Sequence, residues 1–234
     1  MPIRPCQHQG AAELGKPGVG GLGGLQRIAA RGQLHADADE HPRREQFLDA
    51  GLLLFGTVGF KSTSVRGLCR QAKLTDRYFY ESFASVEEVL VAVYEREIQR
   101  LIAAVFGQIR NMEPGTPIAE LARPALHAFF EGARDPVVAK TVWFEVLGVS
   151  DRVNQLYLNT VSEFGQLLLM MIKGLYPKLA LSATQEQLLT TGMVGAINQS
   201  TMAWIVSGFA TPVEDLVEAN LMILEGLGLR LNLQ

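Results

Sequence analysis

The chain has 234 residues, 48% hydrophobic and 19% charged, a composition that builds packed cores, excludes a wholly disordered protein, and at this length fits one small and one larger unit. Two cysteines, Cys6 and Cys69, exclude a disulfide scaffold and a four-thiolate zinc site; with no apolar run of the roughly 18 residues a membrane span needs, the expectation is a soluble, cytoplasmic protein. The net charge of −3 conceals a polarity, since residues 43–84 carry seven basic and four acidic side chains while residues 85–234 carry ten and sixteen, as for a small polyanion-binding head on an acidic body.

Residues 1–41 show no sustained periodicity, and six glycines fall between Gly15 and Gly24, so this stretch reads as a flexible tail without a secretory signal. His35, Asp37, Asp39, Glu40 and His41 are potential ligands, but a polar run lacking outer support argues against a metal, and none is expected.

From Arg44 the pattern turns helical, with Phe47, Ala50, Gly51, Leu54, Phe55 and Val58 on one face. Gly59 ends this helix, Phe60 packs back on it, and Ser64 caps a second short helix carrying Val65, Leu68, Cys69 and Ala72. Lys73 and Leu74 make a tight turn, Thr75 caps again, and Phe79 and Phe83 sit four apart on a third helix of about two turns. Beyond Ala84 the chain reads as helices over 86–112, 117–133, 137–149, 151–176, 184–208 and 213–231, broken at proline, glycine and Ser/Asp positions. The fold class is therefore all-α: a three-helix helix-turn-helix domain at 42–102 and a helical bundle at 103–234.

Two short helices joined by a four-residue turn and braced by a third describe a helix-turn-helix, whose second helix enters the major groove. With Phe79 and Phe83 inward, Asp76, Arg77, Tyr78, Tyr80 and Glu81 form a reading face. Arg77 suits a guanine edge, Tyr78 a sugar or thymine methyl, and Tyr80 a phosphate, while Thr63, Ser64 and Thr75 stand where helix starts meet phosphate oxygens.

The stretch from Arg44 to Glu95 resembles the DNA-binding domain of the tetracycline-repressor (TetR) family. The shared marks are an apolar first helix, a Gly-Phe turn, Thr-Ser-Val opening the second helix, and a short third helix with Tyr at its centre and Phe at its close. The resemblance implies DNA contacts at Thr63, Ser64, Thr75, Asp76, Arg77, Tyr78 and Tyr80. It departs at Lys73, where the family often has Gly, and at Val86, where it often has Lys.

Small residues Gly192, Ala196, Ser200, Ala203 and Ser207 recur on one helix, and Leu216, Val217, Leu221, Ile223, Leu224, Leu227 and Leu231 are too many for one protomer's core. A homodimer interface through Gly192, Ala196, Ser200, Ala203, Leu221 and Leu224 is expected. The resemblance also implies a small-molecule pocket. Phe129, Phe130, Trp143, Phe144, Met170, Met171 and Trp204 are candidate walls, with His127, Glu145, Asn159, Asn198 or Gln199 as polar fixings, suiting a lipophilic effector. The functional expectation is a repressor that binds a palindromic operator as a homodimer and is released by that effector, with no cofactor. The alternatives are a ligand-independent DNA-binding protein or activator with the same head, and a small helical enzyme using His127 as base beside Glu145, for which no nucleophile motif, phosphate loop or metal pair is present in the sequence.

Overall fold

A computed structural model describes residues 40–231. His35, Asp37 and Asp39 lie outside the described residues, and His41 already belongs to the first helix. That helix, α1 (Glu40–Thr57), begins four residues before the expected Arg44. It buries Phe47, Leu48, Ala50 and Phe55, and Gly51 lets it approach the fourth helix so closely that a Cβ there would sit 2.8 Å from Val89. The α1 ladder closes with the Gly59 amide donating to the Leu54 carbonyl, 3.1 Å. Gly59 then takes φ 90°, a conformation glycine adopts without a Cβ penalty.

A 3-10 turn (Phe60–Ser62) leads to α2 (Val65–Ala72), capped by Ser64, whose Oγ accepts from the Gly67 amide at 3.2 Å. The reversal after α2 places Lys73 at φ 57°, with the Leu74 amide donating to the Cys69 carbonyl at 3.0 Å. Next come α3 (Asp76–Ser82) and α4 (Val86–Ile109). Ser85 caps α4 by accepting from the Glu88 amide at 3.2 Å, and the Glu88 carboxylate accepts from the Ala84 amide, one residue before the cap, at 2.8 Å. The boundary expected at 102/103 falls inside the unbroken α4.

The remaining helices are α5 (Ile118–Gly132), α6 (Pro136–Lys140), α7 (Asp151–Leu175), α8 (Ala183–Val206) and α9 (Val213–Arg230). One expectation is corrected: the helix read over 137–149 is a short α6, started by the Asp135 cap and Pro136, that widens into a π turn at Thr141–Glu145. Gly148 at φ 76° then reverses the chain before Ser150 caps α7.

α1 packs on α2, α3, α4 and α6; α5 lies between α4 and α9, and α7 pairs with α8. The first core joins Phe47, Phe55, Leu68, Phe79 and Leu90 of the amino-terminal helices to Val142, Trp143 and Val146 around the π turn. A second core joins α5, α8 and α9 through Phe130, Trp204, Val217 and Leu221. A third closes the far end of α4 around Ile109, Leu121 and Tyr176. The close α7–α8 contact is made by Gly165, where a Cβ would stand 3.1 Å from Thr190. Gly192 contributes nothing to it, since a Cβ there would meet open space.

Candidate functional site

Three aromatic rings fix α3. Phe79 is fully buried and meets Phe47 edge to face at 5.5 Å, and Phe83 lies 6.1 Å from Phe79 and 6.3 Å from Phe47. Buried aromatic surface of this kind holds so short a helix in place, because two turns are unstable alone. The opposite edge is open: the Arg77 side chain is 85% exposed and Tyr80 is 64% exposed. α3 therefore presents a cation and a phenol outward from an apolar anchor, the arrangement a groove-reading helix needs.

The other predicted DNA contacts divide by environment. Ser64 is exposed; its oxygen accepts the capping bond, so its hydrogen remains available to a phosphate. Thr63 donates its hydroxyl hydrogen to the Gly59 carbonyl at 2.8 Å, which leaves its oxygen as an acceptor. Thr75 stands at the N-cap of α3 in extended conformation, but its side chain makes no capping bond, contrary to expectation, so this hydroxyl is uncommitted by the cap. The Asp76 carboxylate interacts with the Cys69 thiol, tying the start of α3 to α2; a carboxylate also complements the positive end of the helix dipole. Tyr78 is half-buried beneath the Arg43 guanidinium, 4.3 Å from its ring centroid, and so braces α1 against α3. Arg77 pairs with Glu81 one turn on at 2.9 Å. Lys61, Arg66 and Arg70, which the spacing does not single out, are exposed, as is the turn residue Lys73; the basic surplus of residues 43–84 is their signal in the sequence.

Two apolar cavities occupy the body. The larger, about 930 Å³ including its open mouth, is walled by α5, α7, α8 and α9 and the end of α4, among the described residues entirely by apolar ones that include Leu168, Met171, Leu189 and Leu224. The smaller, about 570 Å³ on the same measure, lies between α4, α7, α8 and the π turn and carries Tyr94, Trp143, Tyr157, Thr160 and Asn198. Phe129, Phe164 and Ile197 line both.

The predicted effector residues scatter across this frame. Trp143 and Asn198 meet in the smaller cavity, the indole N–H donating to Asn198 Oδ1 at 2.8 Å. Phe129 lines both cavities and Met171 the larger one. His127 is exposed on α5 and lines neither, as are Asn159, Met170 and Gln199. Trp204 is buried against Phe130 and Phe209, its indole N–H donating to the Thr211 carbonyl at 2.7 Å, so it closes the second core. Phe130 and Phe144 likewise belong to cores.

Glu145 is also displaced from the expected role. Its carboxylate points at the amino-terminal helices, accepting from the Phe60 amide at 2.7 Å and pairing with Lys140 at 3.6 Å. Lys140 in turn donates to the Thr57 carbonyl at 3.0 Å. The turn between α1 and α2 is thereby latched to the π turn, whose Val142 and Trp143 line the smaller cavity.

Of the residues expected at a dimer interface, Gly192 and Ala203 are exposed on α8, and Ala196 and Ser200 are half-buried. Leu221 is 2% exposed and serves the protomer's own second core, and Leu224 turns into the larger cavity. Leu216, Val217, Leu227 and Leu231 also face inward, because α5 and the cavity supply more apolar surface than one helix stripe requires. The outward apolar groups are instead Leu188 and Val206 of α8 and Met222, Ile223 and Leu229 of α9.

Residues 47–93 match the model of the bacterial regulatory proteins of the tetR family. No curated protein sequence matches the chain. Among solved structures, the chain is similar to the transcriptional regulator FadR from Bacillus subtilis in complex with stearoyl-CoA, with TM-score 0.67 and 16% identity over 77% of this chain and 96% of that one. It is similar to the fatty acid degradation regulator FadR from Bacillus halodurans, with TM-score 0.66 and 16% identity over 78% and 94% of the two chains. A TetR-like transcriptional regulator from Rhodococcus sp. RHA1 aligns with TM-score 0.60 and 20% identity over 84% and 99%. The tetR-family match thus falls on the helix-turn-helix of α1 to α4, with its aromatic anchor and open α3 edge, and the chain as a whole shares the fold of these solved structures.

Proposed function

We propose that the protein is a repressor that binds a palindromic operator as a homodimer and leaves it when a lipophilic molecule fills the body. The observation that carries this reading is α3: Phe79 and Phe83 inward, Arg77 and Tyr80 outward on one short rod. A single head with so few basic groups neutralises few phosphates, so useful affinity calls for two heads on one scaffold. The exposed apolar groups of α8 and α9 support pairing through those helices, beside Gly192 and Gly195, where a partner backbone has room to approach. The heads then meet successive major grooves at about 34–36 Å.

Release is assigned to the latch. A ligand seated against Val142 and Trp143 bears on the π turn, and the Glu145 carboxylate carries that displacement to the Phe60 amide and the turn that positions α2 and α3. Such coupling requires the ligand to bind the DNA-released geometry more tightly than the bound one. The apolar cavities, and the stearoyl-CoA carried by the B. subtilis neighbour, support a ligand with a long hydrocarbon part.

Footprinting with purified protein and genomic fragments tests the reading. Protection of a short inverted repeat is expected. Replacing Arg77 with Ala should relax sequence preference by about 1–3 kcal/mol at one position of each half-site, whereas Tyr80→Phe should weaken binding uniformly. Unaltered binding in both variants would reject α3 as the reading helix.

A further inference from the structure

The polar groups of the smaller cavity form a directed chain that ends on one unused donor. The Trp143 indole nitrogen can only donate, so the Asn198 oxygen must face it at 2.8 Å, and the Asn198 amide nitrogen is thereby turned to the Tyr157 hydroxyl at 3.1 Å. Tyr157 is then an acceptor in this bond. Its own hydrogen has no acceptor among the described residues. Thr160 spends its hydrogen on the Leu156 carbonyl at 2.9 Å, and Tyr94 is engaged with Thr160. Successive bonds running in one direction polarise each other, which strengthens the last donor.

No Lys, Arg or His lines either cavity among the described residues. An ionised carboxylate placed there would be desolvated without a counter-charge. The stacked Phe129 and Phe164, 6.4 Å apart, stand on the boundary between the wholly apolar cavity and the one holding Tyr157.

We propose that the two cavities together take an acyl derivative whose acyl group is itself uncharged, its hydrocarbon chain in the larger cavity and its carbonyl oxygen accepting from Tyr157 in the smaller one. The inference rests on the lipophilic-effector reading and narrows it: esters, amides and thioesters are ligands, free fatty acids are not. Tyr157 and Asn198 become the specificity-determining pair.

The test is displacement of Nile red from the full-length protein by methyl laurate, lauramide, lauroyl-CoA, laurate and dodecane, with wild type and Tyr157→Phe. Methyl laurate and lauramide should displace the dye at concentrations at least tenfold below laurate. Tyr157→Phe should erase that advantage, while displacement by dodecane, which offers no acceptor, stays unchanged and shows the cavity intact. Lauroyl-CoA grouping with methyl laurate identifies a thioester source, and its exclusion identifies free esters or amides; either result supports the acyl class. Laurate binding as well as methyl laurate, or a preference that survives Tyr157→Phe, overturns the proposal and leaves the effector reading standing. Failure of every compound to displace the dye removes both.

Discussion

Lys73 carries a φ of 57° at the reversal between α2 and α3. A left-handed conformation costs a non-glycine residue roughly 1 kcal/mol, which glycine avoids. Lys73→Gly should therefore raise stability in urea by about 1 kcal/mol. If the exposed ammonium meets a phosphate, the same change should lower the dependence of operator affinity on salt by about one phosphate contact. Denaturation that shows no gain would mean the loop relieves the strain elsewhere. Four positions earlier, burial and the hydrogen bond and charge of Asp76 push the Cys69 thiol from 9.0 to about 11. The folded state thus holds this proton more tightly than the unfolded chain. Its contribution to stability is complete below about pH 9 and is lost as pH climbs towards 11. Iodoacetamide at pH 8 should label Cys69 only at the rate of unfolding, as mass spectrometry of timed samples would reveal.

Where α1 meets α4, a single guanidinium organises the seam. Arg96 donates to Glu45 at 3.1 Å and Asp49 at 2.8 Å on α1, and to the buried Glu97 at 3.0 Å on its own helix. Burial works against the Arg96 charge, but Asp49, Glu97 and Glu45 outweigh it and raise its pKa. Arg96→Ala should cost about 3 kcal/mol, because Glu97 stays buried with only the more exposed Arg100 as partner. A loss below roughly 1 kcal/mol in chemical denaturation would show that water reaches Glu97 as readily as Arg96 does. The same seam explains how a head assembled from short helices stays attached to the body: α4 is shared by both.

For the whole molecule, the proposed dimer rests on the outward faces of α8 and α9, and the proposed release rests on the π turn. Met222 is 69% exposed in the protomer, so Met222→Glu should leave the fold's melting behaviour unchanged while converting a dimer to monomers in sedimentation. Operator affinity should fall with it by on the order of a hundredfold, as the second head no longer arrives with the first. Glu145→Ala removes the acceptor for the Phe60 amide. Operator binding without ligand should persist within a few-fold, whereas the ligand's ability to release DNA should drop about tenfold, a coupling change of about 1.4 kcal/mol. Equal release by both proteins would place the coupling elsewhere in the body.

Local chemistry determined the helix-turn-helix: the four-residue spacing of Phe79 and Phe83, the Ser64 cap and the Gly59 turn are encoded within a few residues of where they act. The outward positions of Arg77 and Tyr80 follow from the same short-range spacing. Tertiary structure alone decided the fates of His127, Glu145, Trp204 and Leu221, since periodicity tells which residues share a helix face but not which neighbour, cavity or solvent that face will meet. It also decided the line from Trp143 through Asn198 to Tyr157, which joins residues 55 and 41 positions apart. Contacts that distant depend on how α7, α8 and the π turn close on one another, and no local pattern specifies that closure.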